Sequence, residues 1–353
     1  FRLDGAGLTL EVFVTALVVS VFDLGLAVVE RRPLDVVLRR LGWYWLIALA
    51  VFFAMMIGGD VRGWFALVVV LCAAGAYVVA VRRLRRRAAP TDTPAQVSKA
   101  GAFSEAELDR YARHIVLREV GGMGQRKLKD ARVLVVGAGG LGSPVLLYLA
   151  AAGVGTIGVI DDDTVSNSNL QRQIIHADAR IGMPKVFSAE IAMKAVNPFV
   201  TVRPYNRRLT AADADALFAD YDLILDGSDN FDTRYLVNAA AVAAGKPLLS
   251  GAITQWEGQL SLYDPAKGAP CYACVFPDRP APGLAPPCAE AGVMGALPGV
   301  VGATMAAEAI KEITGAGDSL RGRLMMFDAL YGENRVIAVK RRADCAVCGG
   351  KVA

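Results

Sequence analysis

The sequence predicts an α/β protein: a doubly wound, Rossmann-like, mainly parallel sheet, extended by mixed or antiparallel strands and preceded by an all-α transmembrane region. Three observations lead there. Residues 132–173 read strand, glycine-rich turn, helix, strand and acidic residue in one run. A second apolar strand at 221–225 ends in Asp226-Gly227-Ser228-Asp229-Asn230. Two 19-residue runs without a charge, 41–59 and 63–81, stand ahead of both.

The front of the chain sets the composition. Of 353 residues 54% are apolar, above the ordinary globular range. Residues 1–90 hold 11 Lys/Arg and 6 Asp/Glu, leaving 27 and 28 for the remainder, so the formal +4 comes from the front alone. The basic balance therefore describes a membrane-proximal segment and marks no nucleic-acid surface. Each uncharged run approaches the ~20 residues that cross a bilayer core. Trp43, Tyr44, Trp45 and Trp64 sit at their ends as interfacial aromatics do. A third span at 8–29 is interrupted by Glu11 and Asp23. Arginines before residue 41 and five more after Val81 place both basic clusters on the cytoplasmic side. The expectation is a multi-pass inner-membrane protein: an anchor of two or three helices over 1–87, a linker over 88–102 and a cytoplasmic domain over 103–353.

That domain opens on a capping box, Ser104-Glu105-Ala106-Glu107, followed by Leu108, Tyr111 and Ile115 on one helix face. Arg110 and Arg113 share another face, and spacing alone reads them as solvated. Val133 to Val136 form a strand buried on both faces. Gly137-Ala138-Gly139-Gly140-Leu141-Gly142 then lets the backbone turn tightly and approach phosphate at a helix N-terminus. A strand over 156–160 ends at Asp161, 19 residues after Gly142, placed to accept from ribose hydroxyls. Asn169, Arg172 and Gln173 follow just beyond, where a nucleotide's phosphates lie. A nicotinamide-dependent oxidoreductase explains Gly137 to Asp161 and leaves that cluster idle.

Further on, the pattern reads helix from Lys185, strand near 200–204, helix near 211–218 and the strand at 221–225. Asp229 either holds Mg2+ by hard oxygen ligation or caps the next helix. Strands at 247–253, 258–263, 323–327 and 335–340 extend the sheet. The run 293–313 contains Pro298, Glu308 and Lys311 and reads as a core helix. Cys271-x-x-Cys274 and Cys345-x-x-Cys348 form two metal-type pairs, expected to close on one structural Zn2+. No Walker A pattern is present, so P-loop chemistry is excluded.

The chain resembles the ubiquitin-activating (E1-like) adenylyltransferases, in particular the bacterial molybdopterin-synthase and thiamine-pathway enzymes. The matching text is Arg110-Tyr111-Ala112-Arg113, the GAGGLG loop, DxDxVxxSNLQRQ from Asp161 to Gln173, Gly182-Met183-Pro184-Lys185, Ser228-Asp229-Asn230, Trp256-Glu257-Gly258-Gln259-Leu260 and the two CxxC pairs. It covers about residues 103–349 and departs at His114, where the family usually has Gln.

The resemblance implies ATP- and Mg2+-dependent adenylylation of a ubiquitin-like sulfur carrier ending in Gly-Gly. The small subunit of molybdopterin synthase is the first expectation, and a thiamine-pathway or other carrier the alternative. It implies nucleotide binding by Gly139, Gly140, Gly142, Asp161, Asn169, Arg172, Gln173, Lys185 and Asp229. Catalytic roles fall to Asp229, Arg172, Lys185 and Arg113, the last reaching the neighbouring subunit of a homodimer. Cys288, in a Pro-rich crossover loop, is a covalent acceptor in some members and dispensable in others. The sulfur donor is expected to act in trans. A silent membrane adaptor is the remaining class, and it would tolerate loss of Arg172, Lys185 or Asp229, all of which are present.

Overall fold

The computed structural model describes Ser20, residues 103–280 and residues 291–350. The first helix, α1 (Glu105–Ile115), carries the expected capping box: Ser104 Oγ accepts from the Glu107 N–H, and the Glu107 carboxylate accepts from the Ser104 N–H. The next, α2 (Gly121–Asp130), was not legible, because three glycines in ten residues hide its periodicity. Gln125, buried on α2, holds it by donating to the Ala152 carbonyl at 2.8 Å.

From there the chain alternates: β1 (Arg132–Val136), α3 (Gly142–Ala152), β2 (Thr156–Ile160), α4 (Lys185–Val196), β3 (Thr201–Tyr205), α5 (Ala211–Ala219), β4 (Leu223–Asp226), α6 (Phe231–Ala243) and β5 (Leu248–Ile253). Then come β6 (Glu257–Tyr263), the short α7 (Tyr272–Val275), α8 (Leu297–Thr314), β7 (Arg323–Asp328) and β8 (Glu333–Ala338). The sheet order is β3-β2-β1-β4-β5-β6-β7-β8. Pairing is parallel from β3 through β5 and antiparallel from β5 to β8, as the sequence predicts.

Both faces of β1 are buried by strict alternation. Val133 and Val135 face one core with Val145, Leu149 and Met305 of α3 and α8. Leu134 and Val136 face the other with Phe218 of α5 and Val237 of α6. Residues two apart share a face, so one short β-branched run feeds two cores. Because β2 and β3 lie to one side of β1 and β4 to the other, the strand order reverses between β1 and β4. Their carboxyl ends open a crevice there, the position at which such sheets hold ligands.

No helix among the described residues is long and apolar enough to cross a membrane. This overturns the expected multi-pass inner-membrane location and the all-α transmembrane region. The longest described helix, α8, carries Glu308, Lys311 and Glu312, and Glu308 accepts from the Leu320 N–H at 2.7 Å and from Lys311 Nζ. The runs at 41–59 and 63–81 on which the expectation rested, and the linker at 88–102, lie outside the described residues. An uncharged run of that length suits a packed protein core as well as a bilayer, so hydropathy alone does not separate the two.

One glycine sets how α2 and the start of β2 can approach. A Cβ on Gly155 would lie 1.8 Å from the Lys129 carbonyl oxygen, which is backbone and cannot swing aside. Gly155→Ala should therefore lower stability by ~1–3 kcal/mol, measured as a shift of the urea midpoint with unchanged slope; an unshifted midpoint would show that the two segments can part freely.

Candidate active site

A cavity of about 530 Å3 occupies the crevice, within the usual range for a small-ligand site. Its wall includes Gly139, Gly140, Asp161, Arg172, Gln173, Lys185 and Asp229, so seven of the expected nucleotide-binding residues converge. Gly142 and Asn169 do not line it. At Gly142 a Cβ would stand 2.0 Å from the Gly137 carbonyl, so this glycine lets α3 start tight against the loop. Asn169 Oδ1 accepts from Arg172 Nη2 at 3.3 Å, and Arg172 Nη1 donates to the Ser168 carbonyl at 3.2 Å. Asn169 thus orients the guanidinium.

The glycine loop is built for an anion. Gly137 sits at φ +95°, a region that favours glycine, and its neighbours then climb into α3. Among the described residues, no protein hydrogen bond uses the N–H of Gly139 or Gly140. Leu141 caps α3 without a side-chain acceptor, leaving the helix N-terminus open as well.

Asp161 closes the opposite side. Its Oδ2 accepts from the Ala138 N–H and its Oδ1 from the Asp163 N–H, both at 2.8 Å. Burial holds its carboxyl above the usual range, and the nearby Lys185 charge and those two N–H groups oppose the rise. Lys185 is itself buried, with Nζ 2.8 Å from the exposed Asp163 carboxylate. It is an anchored cation whose partner faces water.

Asp229 is exposed on the cavity wall, and it does not cap α6. Asn230 does, accepting from the Thr233 N–H at 2.8 Å, which removes the capping alternative. Below it, Asp226 is buried and accepts from the Ser228 N–H at 2.9 Å and from Ser250 Oγ at 3.0 Å. Arg234 donates to the Ser228 carbonyl at 2.6 Å. Arg234, with Arg207 and Arg208 on the rim, has no sequence signal, whereas Asp226 and Ser228 stand in the strand-end motif without a role assigned from sequence. Gln173 Oε1 and Ser228 Oγ are buried on this wall without any protein partner. Such orphaned groups mark where a ligand's polar atoms belong. Arg113 is exposed on α1 and off the wall.

The four cysteines form a separate cluster. All are buried and unbridged, and none lines the cavity. Sulfur separations of 3.8 Å (Cys271–Cys274), 3.6 Å (Cys271–Cys345) and 3.4 Å (Cys274–Cys348) far exceed a disulfide bond. They approach the roughly 3.8 Å that a tetrahedral site with ~2.3 Å metal–sulfur bonds requires. Asn238 Nδ2 at 3.8 Å from Cys271 Sγ and the Arg342 N–H at 3.4 Å from Cys274 Sγ supply the outer hydrogen bonds that thiolate ligands attract. Cys288 lies outside the described residues.

A mostly parallel sheet with an amide-, carboxylate- and guanidinium-lined crevice at its switch point defines a doubly wound nucleotide-binding α/β protein. The chain belongs to the ThiF family, whose model matches residues 111–347. It is 50% identical over 251 residues to the sulfur carrier protein adenylyltransferase of Thermus thermophilus, covering 70% of this chain and 93% of that one. The probable adenylyltransferase/sulfurtransferase MoeZ of Mycobacterium tuberculosis is 51% identical over 254 residues, 71% of this chain and 65% of that longer protein. Among solved structures, Escherichia coli MccB shares the fold, with a TM-score of 0.62, 23% identity and coverage of 68% and 75%.

Asp161→Asn should cost ~1–3 kcal/mol, because an amide has one acceptor oxygen where the carboxylate accepts from two backbone N–H groups. Denaturant unfolding checks this, and a wild-type midpoint would show that the two bonds are dispensable.

Proposed function

We propose that this protein uses ATP to adenylylate the C-terminal glycine carboxylate of a ubiquitin-like sulfur carrier, the small subunit of molybdopterin synthase in the first instance. The single observation that carries it is the convergence of free loop amides, Arg172, buried Lys185 and exposed Asp229 on one cavity. Similarity to a sulfur carrier protein adenylyltransferase supports the same reaction. The orphaned Gln173 Oε1 and Ser228 Oγ fit a ligand rich in polar atoms.

In this reading the triphosphate lies over Gly139 and Gly140, with the ribose beside Asp161. A carrier carboxylate oxygen forms a bond to the α-phosphorus. The bond from that phosphorus to its bridging oxygen breaks, and the electron pair leaves with pyrophosphate. Phosphoryl transfer of this kind needs positioning and charge neutralisation more than covalent help. Arg172 and Lys185 supply fixed positive charge, and Lys185 exchanges its Asp163 partner for a phosphate. Asp229 would hold Mg2+, whose charge offsets that of the phosphates.

A homodimer completes the proposal. Leu108, Val116, Leu117 and Met123 on and beside α1 and α2 are exposed apolar residues, and Arg113 on α1 is exposed too, which supports a second copy that receives this arginine. The Cys271, Cys274, Cys345 and Cys348 cluster fits one Zn2+, which would cross-link the chain after β8 to the segment that carries α7.

Full-length protein should catalyse ATP–pyrophosphate exchange only with a carrier ending in Gly-Gly, and Asp229→Asn should slow it about 100-fold or more, ~3 kcal/mol of transition-state stabilisation. Exchange without a carrier, or undiminished exchange in the variant, would sink the assignment. For the cysteines, about one Zn per chain should survive dialysis, and Cys345→Ala should lower the melting temperature more than the exchange rate. Zinc-free reduced protein of unchanged melting temperature would overturn this.

A further inference from the structure

His176 is buried, 7% exposed, behind the cavity wall. Its Nε2 lies 2.9 Å from the Ala138 carbonyl and its Nδ1 2.9 Å from Ser188 Oγ. A carbonyl only accepts, so Nε2 carries the hydrogen, and Nδ1 accepts the Ser188 hydroxyl. Two fixed partners therefore select one neutral tautomer. Burial pushes the imidazole below its ordinary pKa; the Ala138 carbonyl opposes this, and the charges of Lys185 and Arg180 add to it.

Both partners adjoin residues of the candidate site: Ala138 lies beside Gly139, and Ser188 shares α4 with Lys185. Ala138 stands between Gly137 and Gly139, and its N–H already donates to Asp161. With its carbonyl held by His176, this residue is pinned at both polar groups. Ser188 lies one turn after Lys185 on α4, and its own carbonyl accepts from Arg180 Nη1 at 2.5 Å. The ring is thus a strut between the loop after β1 and the helix that presents Lys185.

We propose that His176 is a positioning residue for the nucleotide: it orients the Ala138 peptide so that the Gly139 and Gly140 N–H groups meet the phosphates, and it ties that loop to the helix of Lys185. This rests on the reading of the cavity as an ATP site. A side chain that merely fills space would affect fold stability and treat both substrates alike. A loop anchor acts on ATP and spares the carrier.

The test compares His176→Gln with His176→Asn in the full-length chain. The Gln amide places an N–H donor near the position of Nε2, whereas Asn reaches only the position of Nδ1. The KM for ATP should stay within about threefold of wild type in the Gln variant and rise about tenfold in the Asn variant, as expected for one lost hydrogen bond. The KM for the carrier should be unchanged in both. Equal KM values for ATP in the two variants, or a matching rise for the carrier, overturn the proposal. Should the Asn variant not fold, imidazole 15N spectra of the wild-type chain decide: the Nε2–H tautomer at neutral pH, kept when a non-hydrolysable ATP analogue is added, is expected. An Nδ1–H tautomer or an imidazolium there overturns it. The two readings also fail separately. A chain that binds the analogue but exchanges no pyrophosphate removes the proposed reaction, and the role of His176 is then read from analogue affinity in the same variants.

Discussion

The carbonyl of Gly137 lies where a side chain on Gly142 would have to stand, 2.0 Å from its ideal Cβ. Everything at the switch point depends on that clearance. Because both residues are glycine, the chain leaves β1, reverses and enters α3 within five residues, and α3 starts directly beneath the sheet's carboxyl edge. Gly137 also packs against the Gly227 backbone, where its Cβ would meet the carbonyl oxygen at 3.2 Å. The loops after β1 and β4 therefore touch along main chain, and a cavity walled by backbone amides results.

Two carboxylates, the half-buried Asp161 and the buried Asp226, repeat one local device on either side of that contact. Asp161 at the end of β2 accepts from the N–H two residues on, at Asp163, and Asp226 at the end of β4 does the same at Ser228. Each Asp turns the chain out of its strand by standing in for a backbone acceptor. Each then spends its second oxygen across the fold, on the Ala138 N–H or on Ser250 Oγ. The strand ends are thereby locked, and Lys185 and Asp229 are presented from rigid ground.

The cysteine cluster does comparable work away from the site. A four-residue helix sets Cys271 and Cys274 on one side, and the chain after β8 brings Cys345 and Cys348 to meet them. The antiparallel half of the sheet has an exposed last strand, and the proposed Zn2+ cross-link after β8 would compensate for that thin edge.

Much of this was legible in the sequence because its signals are local. Glycine spacing, a β-branched run and an acid 19 residues on define a βαβ unit without reference to anything else in the chain. The same holds for the capping box at Ser104 and for each CxxC pair. Helix α2 escaped because its glycines erase periodicity. The long uncharged runs near the start support a membrane reading only weakly, because apolar length is the same whether a bilayer or a protein core covers it. The sequence by itself determined the doubly wound class, the glycine loop and seven of the residues on the cavity wall. Only the tertiary structure decided that Asn230 caps α6 and frees Asp229, that Asn169 serves Arg172, and that His176 braces Ala138. The first two are hydrogen bonds across three residues, where neighbouring polar groups compete and sequence does not rank them; the third spans 38 residues, and no local pattern records which partner a buried polar group will find.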